Sequence, residues 1–256
     1  MNCVFDIDGT ICFDYMNLSE EGLQLLELLE EAGHRVMFAS ARPIRDMLPV
    51  LKDRYRNYTL IGGNGSIISQ NDKIVDVCLF ESELLKAIMV ILEDESVVYL
   101  SDGKWNFSYN GDGSHELMQY VNRGNLGENV PFESLDGVMK LIVLEAEDMN
   151  RVHDRLRDLP VSFYRHESTD TLDILAYKTS KYDALKRLGI EDYVAMGNDI
   201  NDIEMIEHAN PGIMINFNER LAPYADYQVD YDEHYLDSIL EIIENHKRIG
   251  LSGVVN

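Results

Sequence analysis

The stretch Val4-Phe5-Asp6-Ile7-Asp8-Gly9-Thr10 decides the reading of this chain, because an apolar strand gives out there into two carboxylates two residues apart. Side chains at i and i+2 of an extended segment point the same way. Asp6 and Asp8 therefore share an outlook on whatever lies beyond the C-terminal end of the strand, where open α/β sheets bind ligands. Gly9 then permits a turn. In such a place one carboxylate can attack an electrophile such as a phosphoryl group, while the other gives a proton to the leaving oxygen and later takes one from water. A divalent cation would offset the repulsion between the acids and a phosphate. Alone, Asp-x-Asp-Gly reads equally well as a turn or a calcium loop, so the remaining chain has to decide.

The chain has 256 residues, 45% of them hydrophobic, enough for a large core and for two domains. No stretch reaches the ~18 apolar residues of a membrane span, and the N-terminus opens into a short strand rather than a charged and then apolar leader. The expectation is a cytoplasmic protein with no membrane partner. The formal net charge of -24, from 22 basic and 46 acidic residues, argues against nucleic acid as a partner. It also means that an anionic substrate needs local cations in its pocket. Cys3, Cys12 and Cys78 lack metal-ligand spacing and read as reduced thiols that pack as small apolar groups. The seven histidines are scattered without a pair at i and i+4, so they read as surface or hydrogen-bonded groups.

Strand and helix signals alternate as in a parallel sheet flanked by helices. Asn2 to Phe5 is the first strand. Ser19 caps a helix with leucines at 23, 25, 26, 28 and 29, which Gly33 stops. Arg35 to Ala39 is the second strand and runs into Ser40-Ala41-Arg42-Pro43, where Pro43 suits the first turn of a helix whose N–H groups attract an anion. A third strand near Tyr58 to Ile61 meets Gly62-Gly63-Asn64-Gly65, and a hairpin around Ile67 and Ile74 follows. From about Glu81 the order becomes helix (81–94), strands (97–101 and 104–109), helix (114–122), strand (138–145), helix (148–158) and strands (161–167 and 171–177). Paired strands between helices imply an antiparallel or mixed sheet, hence an inserted α+β unit. Trp105, Phe107 and Tyr109 alternate along one of its strands and read as core more readily than as a pocket roof. After Lys178 the simple alternation returns: helix 181–188, strand 193–196, helix 201–208, strand 212–215 and a C-terminal helix at 235–246.

Four patches thus fall at strand ends: Asp6-Ile7-Asp8-Gly9-Thr10, Ser40-Ala41-Arg42, Lys181, and Gly197-Asn198-Asp199-Ile200-Asn201-Asp202 followed by Ile203-Glu204-Met205. In this order and spacing the chain resembles the haloacid dehalogenase superfamily, in particular its Cof-type phosphatases with a type IIB cap, and Asn64-Gly65 resembles that subfamily too. The resemblance implies an α/β fold with a Rossmann-like parallel sheet core, residues 1–80 and 177–256, and an inserted α+β cap domain at 81–176. It makes Asp6 the nucleophile that forms an aspartyl-phosphate and Asp8 the acid/base. It assigns Ser40, Ala41, Arg42, Lys181 and Asn201 to phosphate or substrate. It implies Mg2+ held by Asp6, the Asp8 carbonyl, Asn198 and Asp202.

The chain departs from the family pattern at two places. Asn198 stands where the family has an Asp that binds the metal directly, so an amide replaces a charged ligand, with Asp199 and Asp202 nearby. Tyr182 stands where a Gly commonly follows the lysine, yet Lys181 matches better than Lys178, which reads as a surface charge. The expected activity is a magnesium-dependent phosphatase acting on a small phosphorylated metabolite such as a sugar phosphate. A phosphomutase of the same fold, and a metabolite-binding or regulatory protein with weak or no catalysis, are the alternatives. Neither the substrate nor the oligomeric state is legible.

Overall fold

In the computed structural model, which describes residues 1–166 and 169–252, the apolar run before the acids is β1 (Asn2–Phe5), buried from Cys3 onward. Ser19 opens α1 (Glu20–Glu31) by accepting the Gly22 N–H at 3.0 Å. Glu20 and Glu21 occupy its first turn, where the helix dipole favours anions, and Leu25, Leu26 and Leu29 form its buried stripe. There follow β2 (Arg35–Ala39), α2 (Ile44–Leu51), β3 (Thr59–Gly62), β4 (Ile67–Gln70) and β5 (Lys73–Val77). Next come α3 (Ser82–Asp94), β6 (Val98–Asp102), β7 (Phe107–Tyr109), β8 (Lys140–Glu145), α4 (Met149–Leu156), β9 (Val161–His166) and β10 (Thr171–Ala176). The chain ends with α5 (Lys181–Arg187), β11 (Tyr193–Gly197), α6 (Ile203–Glu207), β12 (Gly212–Ile215), β13 (Tyr227–Val229) and α7 (Tyr235–Ser252).

These elements form two compact units: Met1–Ala39 with Leu185–Asn256, and Ser40–Ala184. In the first unit β13, β12, β11, β1 and β2 lie side by side, all parallel. Phe5 pairs with Met196, and the Asp6 N–H donates to the Met196 carbonyl at 2.9 Å. That register brings the loops after β1 and β11 out next to each other at the C-terminal edge of the sheet, where loops from neighbouring strands meet a ligand. α1 packs against α7.

The second unit is antiparallel. β3, β4 and β5 form a meander, and a five-stranded sheet runs in the order β7-β6-β8-β10-β9. Alternation along the strands sorts the latter's two faces. Leu141, Val143, Leu172 and Ile174 turn to one face, where they are buried with Ile88 and Leu92 of α3 and Val152 and Leu156 of α4. Each leucine-sized side chain so removed from water contributes about 1.5–3 kcal/mol. Ile142 and Leu144 turn to the other face and pack with Leu100, Phe107 and Tyr109. Lys140 and Asp173 share the parity of that second face, and both are buried.

The observed elements depart from the expected ones where burial, rather than pattern, decides. The helix expected at 114–122 is only a single 3-10 turn, Glu116–Gln119, with no buried residue. Leu117, Met118 and Val121 only rest half-buried against the second face of the sheet, little to offset the cost of helix nucleation. The strand expected from 104 begins at Phe107. Trp105 stays outside it, its carbonyl accepting Arg45 Nη1 at 2.8 Å. Pro43 caps α2 from outside rather than occupying its first turn. The helix expected at 201–208 divides into a 3-10 turn, Ile200–Asp202, and α6. Residue 167, the last of the strand expected at 161–167, lies outside the described residues. Cys3 and Cys12 are buried thiols, Cys78 is half-buried, and burial pushes Cys3 up to about 12.

Candidate active site

In the first unit the turn after β1 is built to hold a second loop. Ile7's carbonyl accepts the N–H groups of Ile11 and Cys12 at 3.0 and 2.9 Å, and the Gly9 N–H returns to the Cys12 carbonyl at 2.8 Å. Gly9 has φ +79°, and a Cβ there would lie 2.1 Å from Asn198 Nδ2. Only glycine satisfies both the left-handed backbone and that approach. Tyr235 on α7 holds the turn from behind by donating its hydroxyl to the Thr10 carbonyl at 2.7 Å. Burial pushes that hydroxyl far above its usual range, so it stays a donor.

The loop after β11 is braced by its own last acid. Asp202 Oδ2 accepts the N–H groups of Asn198 and Asp199 at 3.0 and 3.1 Å, Asp199 caps the following 3-10 turn, and Asn218 Nδ2 donates to the Asn198 carbonyl at 3.0 Å. With its backbone so fixed, Asn198 reaches the β1 turn. Its outer amide atom lies 2.9 Å from the Asp8 carbonyl oxygen and 3.2 Å from Asp6 Oδ2. Thr10 Oγ1 donates to Asp6 Oδ2 at 3.2 Å.

The amide of Asn198 has two settings at this point. Turned one way, its NH2 donates to both Asp6 and the Asp8 carbonyl. Turned the other way, three oxygens converge with separations of 2.9 and 3.2 Å, an arrangement of acceptors that a cation relieves. Adjacent ligand oxygens of an octahedral magnesium lie about 3 Å apart, and magnesium prefers hard oxygen donors. The trio of Asp6 carboxylate, Asp8 carbonyl and Asn198 amide oxygen therefore fits that ion. Among the described residues no group of three or more His, Cys, Asp and Glu side chains gathers as a metal site.

The second unit contains the other residues singled out in the sequence. Ser40 is buried and accepts the Arg42 N–H on Oγ at 3.1 Å, while Ala41 and Arg42 are half-buried. Lys181 is fully buried, and the backbone just before it is clasped by Gly65, whose φ is +96° and whose added Cβ would lie 2.1 Å from the Ser180 carbonyl oxygen. Lys178 is exposed.

Of the residues named from the sequence, the structure brings together Asp6, Asp8 and Asn198, and places Asp202 behind them on the loop backbone. Ser40, Ala41 and Arg42 form one segment in the other unit, and Asn201 is buried in the turn before α6. Sequence reasoning missed Asn218 and Tyr235 as supports, since each acts on a backbone carbonyl from far along the chain and follows no motif. It also missed Lys140 and Asp173. Each is one charge inside an apolar strand, Val-Met-Lys-Leu-Ile-Val and Leu-Asp-Ile-Leu, and two such lone opposite charges are the signal of a buried pair.

A family model described as haloacid dehalogenase-like hydrolase matches residues 3–243, and the chain belongs to that family. It is an enzyme, a hydrolase of that family. The chain is 23% identical over 237 residues to the 5-amino-6-(5-phospho-D-ribitylamino)uracil phosphatase YitU of Bacillus subtilis, spanning 81% of this chain and 83% of that protein. It is likewise 23% identical over 232 residues to the HMP-PP phosphatase of Yersinia enterocolitica, spanning 82% of each. Its fold is similar to that of the HAD subclass IIB sugar phosphatase BT4131, with a TM-score of 0.74 at 20% identity and 99% of each chain covered. No helix among the described residues is long and apolar enough to cross a membrane.

Proposed function

We propose that this enzyme is a magnesium-dependent phosphatase that hydrolyses a small phosphorylated metabolite in the cytoplasm through an aspartyl-phosphate on Asp6. The observation that carries the proposal is the convergence of Asp6 Oδ2, the Asp8 carbonyl and the Asn198 amide at the end of β1. Asp6 attacks phosphorus, the bond to the leaving oxygen breaks, and Asp8 gives that oxygen its proton. Water then attacks the phosphorus of the aspartyl-phosphate. Asp8 takes the water's proton, inorganic phosphate leaves, and Asp6 is restored. Bound magnesium, held by Asp6, the Asp8 carbonyl and Asn198, would supply positive charge opposite the phosphoryl oxygens. Asp202 serves that site by fixing the Asn198 backbone. The reading further requires the Ser40 hydroxyl and the backbone of Ala41 and Arg42 to donate to the phosphoryl oxygens, Lys181 to neutralise them, and Asn201 to assist. Residues 81–176 act as a cap that shields the reaction from water and selects the leaving group.

Support for a small metabolite comes from the relatives, whose names specify a phosphoribitylamino-uracil, HMP-PP and sugar substrates. The net charge of -24 makes local cations necessary for any of these anions. Phosphate release from an aryl phosphate and from a metabolite panel, with magnesium present, tests the proposal against Asp6→Asn. The variant should lose about 10³-fold or more in kcat. An Asp6→Asn protein as active as the wild type overturns the covalent mechanism. Transfer of the phosphoryl group to a second hydroxyl, with no inorganic phosphate formed, makes the enzyme a phosphomutase instead.

A further inference from the structure

The segment Ser40-Ala41-Arg42 is held by a closed ring of hydrogen bonds whose hub is a buried ion pair. Lys140 Nζ on β8 lies 2.7 Å from Asp173 Oδ2 on β10 and donates to the Ala41 carbonyl at 3.0 Å. Both side chains are 3% exposed. Asp173 Oδ2 also accepts Asn64 Nδ2 at 2.9 Å, with His166 Nε2 at 3.6 Å. Asn64 closes the ring, because its own N–H donates to the Ser40 carbonyl at 2.9 Å. Two successive carbonyls are therefore fixed by one network, that of Ala41 by Lys140 directly and that of Ser40 through Asn64.

The orientation of the two carbonyls fixes the rest of the segment. In a planar trans peptide the N–H points opposite to the C=O. Holding the Ser40 carbonyl on Asn64 turns the Ala41 N–H away from the ring, and holding the Ala41 carbonyl on Lys140 turns the Arg42 N–H the same way. That N–H meets Ser40 Oγ at 3.1 Å, which occupies an acceptor position of the hydroxyl and leaves its proton to donate. The outcome is a set of donors, the Ala41 N–H and the Ser40 O–H, facing away from the ion pair. We infer that Lys140 and Asp173 are positioning residues for phosphate, setting the Ser40–Ala41 peptide so that its donors meet the phosphoryl oxygens.

The inference rests on the phosphate role given to Ser40 above. A donor at the end of the Lys140 side chain is required because a methionine there would leave the Ala41 carbonyl unheld. A charge on Asp173 is required because a buried ammonium without a counterion is not retained.

Three variants test the inference: Lys140→Met, Lys140→Arg and the double variant Lys140→Met/Asp173→Asn, which removes both charges and keeps a folded comparator. Inorganic phosphate is the probe, with its affinity measured by calorimetry in the presence of magnesium, alongside kcat and KM on an aryl phosphate and a melting curve. The expected result for the double variant is a melting point near that of the wild type, phosphate binding weakened about tenfold or more, and a fall in kcat per folded molecule. Lys140→Arg should recover part of the phosphate affinity. A folded double variant that binds phosphate and turns over like the wild type overturns the inference. So does a loss that merely tracks the fraction unfolded. Failure of the underlying reading shows elsewhere, as undiminished activity in Asp6→Asn.

Discussion

Asp202 in the first unit and Asp173 in the second are both buried carboxylates, yet they are satisfied in different ways. Asp202 accepts backbone N–H groups three and four positions before it. Asp173 accepts a lysine across the sheet and an asparagine side chain 109 positions away. The first unit's site is thus assembled from short loops after adjacent parallel strands, each braced by bonds within the loop and by one uncharged side chain from elsewhere, Tyr235 or Asn218. The second unit's is assembled from long-range charge pairing, in which no partner is adequate without the others. Buried ion pairs are costly to break one-sidedly, because the surviving charge has no water and no counterion. Removing one charge of the pair should therefore cost stability in the second unit, whereas damage to the first unit's loops should act on ligand affinity and turnover with the fold intact.

Asp173→Asn is the largest break of that contrast. It leaves Lys140 buried without a counterion and should lower stability by about 3–5 kcal/mol at neutral pH. Burial pushes Asp173 upward, but the Lys140 ammonium and His166 outweigh it and hold the carboxyl below its usual range. A carboxyl lowered in the folded state contributes fully above its ordinary value, about 3.9, and loses that contribution as the pH falls through the lower folded value. The difference between wild type and variant should accordingly narrow as the pH falls below about 4. Chemical denaturation across that range measures it, and a difference that stays unchanged into acid would remove the ion pair from the explanation.

Gly9→Ala probes the first unit by steric means. The left-handed backbone penalises any side chain by about 1–2 kcal/mol, and the added carbon falls on the Asn198 amide. Asn198 has to leave the Asp8 carbonyl, so magnesium affinity and kcat should both drop while the fold survives. A variant with wild-type magnesium affinity, measured by calorimetry, would mean that the two loops are not coupled through this contact.

How much of this was legible in the chain follows from the same contrast. β1, β2 and β11 and their terminal motifs are readable because an apolar run and the polar cluster that ends it lie within ten residues of each other, and the Asn198 departure could be seen at once. The ring around Asp173 was not readable, because it depends on a register between β8 and β10 that no local pattern states. β13 was missed since Tyr227–Val229 is three residues long with two of them exposed, too short for alternation to show. The helix expected at 114–122 failed for the opposite reason: its composition permits a helix, but Leu117, Met118 and Val121 only rest half-buried against the second face of the sheet.

Asn198→Asp is the smallest of these changes, and it acts on the point where the two settings of the amide compete. In wild type the NH2 group can satisfy Asp6 and the Asp8 carbonyl without any ion, so a cation must displace two hydrogen bonds to bind. An aspartate offers no such donors. Without a cation it adds a negative charge beside Asp6, and with one it contributes a charged ligand in place of a neutral amide oxygen. The variant should therefore melt earlier than wild type in the absence of divalent ions and gain more from magnesium. A tenfold tighter site corresponds to about 1.4 kcal/mol, read directly as a larger magnesium-dependent rise in melting temperature. Equal responses of the two proteins to magnesium would place the ion away from Asn198, and with it the charge that the proposed transfer at Asp6 depends on.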